Sequence, residues 1–128
     1  MTLVELNGHL DLVEQMGRAR EDLQTLQDRI LGAQQYDGQP HGHEVSRKVE
    51  NLSILLKEKS DDLDRLERIV DRSEKGIRKW IGTVPDTRAK TAFSLRYLCG
   101  MKWDDVADYV GGEKSVESVK AMCYRYLE

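Results

Sequence analysis

The sequence predicts an all-α protein: a long antiparallel coiled-coil hairpin over residues 1–82, then a three-helix module of helix-turn-helix type over residues 83–128. Apolar residues recur at alternating steps of four and three in two long stretches, which is the spacing of a coiled-coil seam. Short helical patterns separated by glycines follow them. No strand pattern is evident, and 34% charged with 39% hydrophobic residues suit amphipathic helices.

The first helix is predicted to begin near Asn7, a residue type that often caps helices. The stretch from Gly32 to His43 is rich in glycine, contains Pro40 and has no apolar period, so the helix is predicted to end there. The seam residues of this helix are Leu12, Met16, Ala19, Leu23, Leu26 and Ile30.

A second, longer helix is predicted from about Glu44 to Gly82, with acidic side chains four residues before basic ones on its surface. Lys59 and Ser73 interrupt its seam, which consists of Val45, Val49, Leu52, Leu56, Leu63, Leu66, Val70, Ile77 and Trp80.

The two seams can be paired so that the residue numbers of every pair, from Ile30 with Val45 to Leu12 with Leu63, add up to 75. A constant sum is what an antiparallel hairpin requires, and the midpoint falls inside the glycine-rich loop. A hairpin is therefore favoured over two separate helices.

The longer second helix leaves apolar residues to be covered, among them Ile69, Ile77 and Ile81. The amino-terminal leucines, the carboxy-terminal module or a second subunit could cover them. Because a two-helix hairpin buries little apolar surface, a homodimer formed through the hairpin is the favoured interpretation.

The carboxy-terminal module begins after the break at Gly82 to Pro85, where Pro85 and Asp86 suit the start of a new helix. This helix is predicted to end at Gly100, a residue suited to the left-handed position that follows a helix. A second, short helix is predicted over residues 103–110, with its three aspartates towards water.

A turn and a third helix complete the module. Gly111 is predicted to provide the left-handed backbone of the turn, and the small Ala107 lets the second and third helices approach closely. Ser115 is predicted to cap the third helix, whose inner face would be Val119, Met122, Cys123 and Tyr126. A bundle that binds only protein is the alternative.

Three stretches of the module, Leu95-Arg96-Tyr97, residues 100–107 and residues 115–120, resemble sigma factor region four. Together with the coiled-coil front half, the whole chain resembles phage-encoded sigma-like regulators of Gram-positive hosts, of the RinA and ArpU type. The resemblance implies transcriptional control, with promoter DNA and RNA polymerase as partners. Two departures are a longer turn and the apolar Val116 and Ala121, where such third helices often carry polar groups.

A third helix lying in the major groove would present the side chains near its start to DNA. Glu117 could accept a hydrogen bond from cytosine, and Lys120 could reach guanine or phosphate. Contacts to phosphate are predicted for the basic residues around them. The predicted DNA-binding residues are Ser115, Val116, Glu117, Lys120, Tyr124, Arg125, Lys114, Arg88 and Lys90.

The charge balance predicts modest DNA affinity for the module alone. The chain carries a formal net charge of -3, and residues 83–128 are neutral, with three Arg and four Lys against four Asp and three Glu. Few phosphate contacts give a small electrostatic contribution, so a second module or a tether to RNA polymerase is needed.

No enzyme, catalytic residue or cofactor is predicted, because the sequence has no phosphate-binding glycine motif, nucleophile elbow or metalloprotease helix. No metal site is predicted either, since His41 and His43 have no third ligand nearby except Glu44 or Asp37.

Cys99 and Cys123 follow no metal-ligand spacing and are predicted to be reduced, packed thiols. The apolar runs are too short to span a membrane and no signal segment is evident, which predicts a cytoplasmic protein without a membrane partner.

Two other functions remain open. A phage DNA-packaging subunit of the small terminase kind also joins a helix-turn-helix to oligomerisation helices, and a ring of many subunits would favour it. A protein-only helical adaptor would suit the acidic second helix and the apolar Val116 and Ala121.

Overall fold

The computed structural model describes residues 1–35, 42–112 and 115–128, and side chains at 1–32, 47–112 and 115–128. Every element in these ranges is helical, as predicted: α1 (Leu3–Gln35), α2 (Gly42–Ile81), α3 (Thr87–Phe93) with a π-helical segment (Ser94–Leu98) directly after it, α4 (Trp103–Val110) and α5 (Val116–Tyr124). In the same ranges no helix combines the length and the apolar character that crossing a membrane requires.

The chain forms two compact units. The composite unit consists of Met1–Val13 and Val70–Glu128, and the middle unit is Glu14–Ile69. These two units are defined by contacts within the chain. The predicted domains, residues 1–82 and 83–128, are a division by function and stay a prediction.

Helix α1 begins earlier than predicted, because Thr2 and Glu5 cap it. The Thr2 backbone N–H donates to Glu5 Oε2 at 2.8 Å, and the Glu5 N–H donates to Thr2 Oγ1 at 3.2 Å. This reciprocal pair satisfies two amides that a helix start leaves without partners. The expected cap at Asn7 is therefore wrong: Asn7 is an exposed residue inside the helix.

The core of the composite unit lies where α3, α4 and α5 pack against one another pairwise. The end of α2 joins them, with Trp80 meeting Phe93 edge-on at 4.9 Å between ring centroids. Leu6 of α1 is 0% exposed in the same core. The other buried members are Ile77, Ile81, Val84, Ala89, Ala92, Phe93, Tyr97, Val106, Ala107, Val119, Met122 and Cys123.

Ile77 and Ile81, two apolar residues that the longer second helix leaves to be covered, are thus buried within the chain, by its amino-terminal segment and its carboxy-terminal helices. Their burial gives no reason to invoke a second subunit. Ile69, in the middle unit, stays 48% exposed.

Two glycines shape the connections of the composite unit. The π-helical segment ends with the Cys99 N–H donating to Ser94 O at 3.0 Å, and Gly100 then takes a φ of 72°, as the predicted helix end requires. After α4, however, the left-handed residue is Gly112, with a φ of 57°, and Gly111 keeps a helical φ of -91°. The prediction for Gly111 is wrong by one position, because either glycine permits that backbone.

In the middle unit the apolar period agrees with burial. Ile30 and Leu63 are buried at 9% and 7% exposure, and Lys59 is the exposed position among the described seam residues. Half-buried are Met16, Ala19, Leu23, Leu26, Val49, Leu52, Leu56 and Leu66. The side chain of Val45 lies outside the described ones.

The contacts between α1 and α2 differ from the predicted pairing. In the composite unit His9 Nδ1 hydrogen-bonds to Ser73 Oγ at 2.9 Å, and these residue numbers add up to 82 rather than 75. In the middle unit Arg20 meets Glu67 at 3.2 Å, a pair that adds up to 87. A shift of seven residues leaves a heptad pattern unchanged, so the spacing of apolar residues does not distinguish a sum of 75 from a sum of 82. The pair of Arg20 and Glu67 joins side chains outside the predicted seams.

Candidate nucleic-acid interface

Helix α5 is held by its cap at one end and by its inner face along its length. Ser115 is extended at φ -71° and ψ 161°, and its Oγ accepts from the Ser118 N–H at 3.2 Å, which confirms the predicted cap. Val119 and Cys123 are fully buried and Met122 is 9% exposed, so the predicted inner face is confirmed at these positions. A rigid base therefore supports the opposite face.

The outward face of α5 is small and polar. Glu117, Ser118 and Ala121 are exposed along it, and Arg125 is exposed at the cap that follows the helix. Val116 does not belong to this face: it is half-buried and packs against the core. Its predicted exposure is wrong, because the first turn of α5 directs this side chain towards the core.

An aromatic cluster lies beside this face, centred on Trp103, the first residue of α4. The Tyr124 ring stands perpendicular to the indole with 6.1 Å between centroids, and the Tyr97 ring does the same at 6.2 Å. Lys120 Nζ lies 6.0 Å from the indole centroid, within the range of a cation–π contact. Two predicted DNA-binding residues, Lys120 and Tyr124, therefore meet at one tryptophan.

Arg96 of the π-helical segment is the second cation at this ring. Its guanidinium carbon is 5.6 Å from the Trp103 centroid and 6.0 Å from that of Tyr97. Arg96 Nη1 donates to the carbonyl of Met101 at 2.9 Å, which ties the segment to the connection before α4. The buried Nε has no hydrogen-bond partner among the described residues. The guanidinium of Arg96 therefore holds neighbouring elements together and is not a freely exposed charge.

The phenols and the thiol near the cluster stay protonated at neutral pH. Burial raises the pKa of Tyr97 to about 12 and also raises that of Tyr124. Burial and the nearby Asp86 raise the pKa of Cys123 to about 11. A protonated, buried thiol is unreactive, as predicted for Cys123. The expected packing of Cys99 is wrong, because this residue is exposed.

The remaining predicted contacts are on other elements or outside the described part. Arg88 is exposed and Lys90 half-buried in α3, which starts at the cap Asp86, whose Oδ1 accepts from the Arg88 N–H at 3.0 Å. No hydrogen bond or ion pair among the described side chains joins either of them to the cluster at Trp103. Lys114 lies outside the described residues.

Trp103 and Arg96 are absent from the predicted DNA-binding residues. From the sequence, Trp103 is only the first residue of a predicted helix, and Arg96 belongs to a stretch that resembles sigma factor region four. One signal was available: Lys120 and Tyr124 stand four residues apart and therefore share one face of a helix. A half-buried aromatic on the preceding helix is a natural partner for such a pair.

Among the described residues, no group of three or more His, Cys, Asp or Glu side chains is placed to hold a metal ion. His41 lies outside the described residues, and the side chain of His43, a residue of α2, lies outside the described side chains. Comparison of the chain with protein-family models, with curated proteins and with solved structures finds no match in any of the three.

Proposed function

We propose that the chain is a DNA-binding transcriptional regulator, sigma-like and derived from a phage. In this proposal α4, the turn and α5 form a helix-turn-helix, and α5 enters the major groove of promoter DNA. The main support is that the two faces of α5 differ in burial. Val119 and Cys123 hold one face in the core. Glu117, Ala121 and the cap residue Arg125 are exposed on the other.

The aromatic cluster adds two groups suited to the DNA backbone. Lys120 can neutralise a phosphate, and the protonated Tyr124 hydroxyl can donate to a phosphate oxygen. Ser115, used by its cap, and Val116, packed inward, are weaker contacts than the sequence suggested. The contact set of the proposal is therefore Glu117, Lys120, Tyr124 and Arg125, with Arg88 and Lys90 as flanking cations.

The hairpin supplies the second half of the proposal. We expect α1 and α2 to pair in antiparallel fashion, supported by the burial of their seams and by the contacts His9 to Ser73 and Arg20 to Glu67. Leu31, Ile54 and Leu55 of the middle unit are exposed at 55%, 54% and 38%. These apolar side chains are where contact with a second copy or with RNA polymerase is expected, which raises the effective concentration of a weakly binding module.

DNA binding by the full chain tests the first half. A random duplex pool selected with the chain, followed by fluorescence anisotropy on the enriched duplexes, should give a binding sequence. Lys120→Ala combined with Arg125→Ala should abolish binding. Lys57→Ala combined with Lys59→Ala removes the same charge from exposed positions of α2 and is the matched control, with affinity expected to stay within about twofold. Enrichment of no sequence, or equal affinity of both double variants, contradicts the proposal.

Oligomeric state and polymerase capture test the second half. Light scattering should give a dimer, or a monomer that RNA polymerase retains in a pull-down with purified components. A ring of many subunits would support the DNA-packaging alternative instead, and binding to neither DNA nor polymerase would leave the protein-only adaptor.

A further inference from the structure

Side chains from three elements meet at the indole of Trp103. Arg96 and Tyr97 come from the π-helical segment, Lys120 and Tyr124 from α5, and Trp103 itself opens α4. The two α5 residues are members of the proposed contact set, and both meet the indole. The same ring therefore sets the position of both.

We propose that Trp103 is a positioning residue for DNA binding, which holds Lys120 and Tyr124 in place for the DNA backbone before DNA is present. This inference rests on the proposed function. A lysine side chain loses most of its rotamer freedom when it docks on a phosphate. If the indole already confines Lys120, part of that loss occurs on folding and not on binding.

The ring is well placed for this task because it is itself held. Arg96 covers it at 5.6 Å and is tied to Met101 O, and Tyr97, which is 2% exposed, stands against it edge-on. Lys120 Nζ, in contrast, is at 6.0 Å, near the outer limit of a cation–π contact. This weak contact restricts the position of the Lys120 ammonium but leaves it able to bind a phosphate.

Salt dependence distinguishes positioning from direct contact. Replacing a residue that neutralises a phosphate lowers the slope of log K against log salt concentration by about 0.9. Lys120→Ala should therefore weaken binding and reduce the slope. Trp103→Leu keeps the charge of Lys120, so it should weaken binding about two- to fivefold, the size of one partly exposed cation–π contact, with an unchanged slope.

Two further variants serve as controls for the affinity of Trp103→Leu. Trp103→Phe keeps an aromatic face and should recover most of the lost affinity. Trp80→Leu removes the other tryptophan, also half-buried, whose ring packs on Phe93. Among the described residues no aromatic or cation–π contact joins Trp80 to a proposed DNA contact, so this substitution should leave the affinity of the folded protein unchanged. Circular dichroism confirms folding of each variant before titration.

The outcomes separate the two proposals. Absence of DNA binding by the wild-type chain overturns the proposed function, and this inference with it. Wild-type binding together with unchanged affinity of Trp103→Leu, or a reduced slope in that variant, overturns the positioning role alone. Should Trp103→Leu not fold, the side-chain NMR signals of Lys120 in the wild-type protein decide: a ring-current shift is expected, and its absence contradicts the inference.

Discussion

The composite unit and the middle unit share their two long helices but bury apolar side chains to different depths. Leu6, Phe93, Val106, Val119 and Cys123 are 0% exposed in the composite unit, whereas the most buried described hydrophobic residue of the middle unit is Leu63 at 7%. Two helices enclose a side chain along one line of contact, and further helices are needed to surround it. Depth of burial is thus set by the number of neighbouring helices and not by the apolar pattern of one helix.

The largest effect is expected from shortening Leu6, a leucine of α1 in the composite core. Leu6→Ala removes a wholly buried side chain from the composite core and should lower the free energy of unfolding by about 2–5 kcal/mol, through lost burial and the cavity left behind. Urea denaturation of the full chain measures it. Val4→Ala, at an 81% exposed position of the same helix, is the control and should change stability by at most about 0.5 kcal/mol. Equal effects would mean that Leu6 is not part of this core.

Leu26→Ala makes the same substitution in the middle unit, where the side chain is half-buried. We expect a loss of about 1 kcal/mol, roughly half of the free energy of fully burying a leucine. Amide hydrogen exchange of α1 should show the loss around this residue. A cost as large as that of Leu6→Ala would indicate a deeper interface in the middle unit than the chain alone provides, as an obligate dimer would create.

His9 makes the composite unit sensitive to pH. It is 3% exposed, hydrogen-bonds to Ser73, and has a pKa lowered by burial, with the nearby Glu74 opposing the shift. A lowered pKa in the folded state favours folding when histidine is neutral. The contribution is complete above the unfolded value of about 6.5 and is lost as pH falls through that value towards the folded one.

Unfolding free energies at a series of pH values between 8 and 5 measure this effect, which should be smaller than that of Leu6→Ala. His9→Gln keeps a polar side chain without the titrating ring, so the wild-type curve minus the variant curve isolates His9 from the other two histidines. A difference that does not change with pH would contradict the assignment.

The ion pair of Arg20 and Glu67 should have the smallest effect. The two side chains are 56% and 41% exposed, so a double-mutant cycle should give a coupling of about 0.2–1 kcal/mol that shrinks as salt is added. No coupling at low salt would remove this support for the observed register of the middle unit.

The sequence predicted helix ends and caps best, because these depend on residues close together in the chain. The bounds of α4, the cap at Ser115 and the left-handed Gly100 follow from side chains within a few residues of each other. The capping box of Thr2 and Glu5 is equally local, although Asn7 is also a residue type that caps helices. The register was ambiguous in principle, since a heptad repeat matches itself after every seven residues.

Tertiary contacts explain what the sequence could not predict. Nothing near Leu6 in the sequence distinguishes it from Leu12 or Leu26. It is a core residue because the end of α2 and the carboxy-terminal helices contribute to the same cluster. In the candidate site, the outward positions of Glu117 and Arg125 follow from helical periodicity. The inward turn of Val116 and the meeting of Arg96 with Lys120 at one ring depend on how three elements pack.

The burial of Leu6 also bears on how fast the protein folds. Val119 and Cys123 of the same core come from the carboxy-terminal helices, so this core joins residues that are far apart in the sequence. Closing so long a loop has an entropy cost that must be met before these contacts stabilise anything, which slows folding. During synthesis Leu6 emerges long before α5, so the core that contains it stays incomplete until the carboxy-terminal helices have left the ribosome.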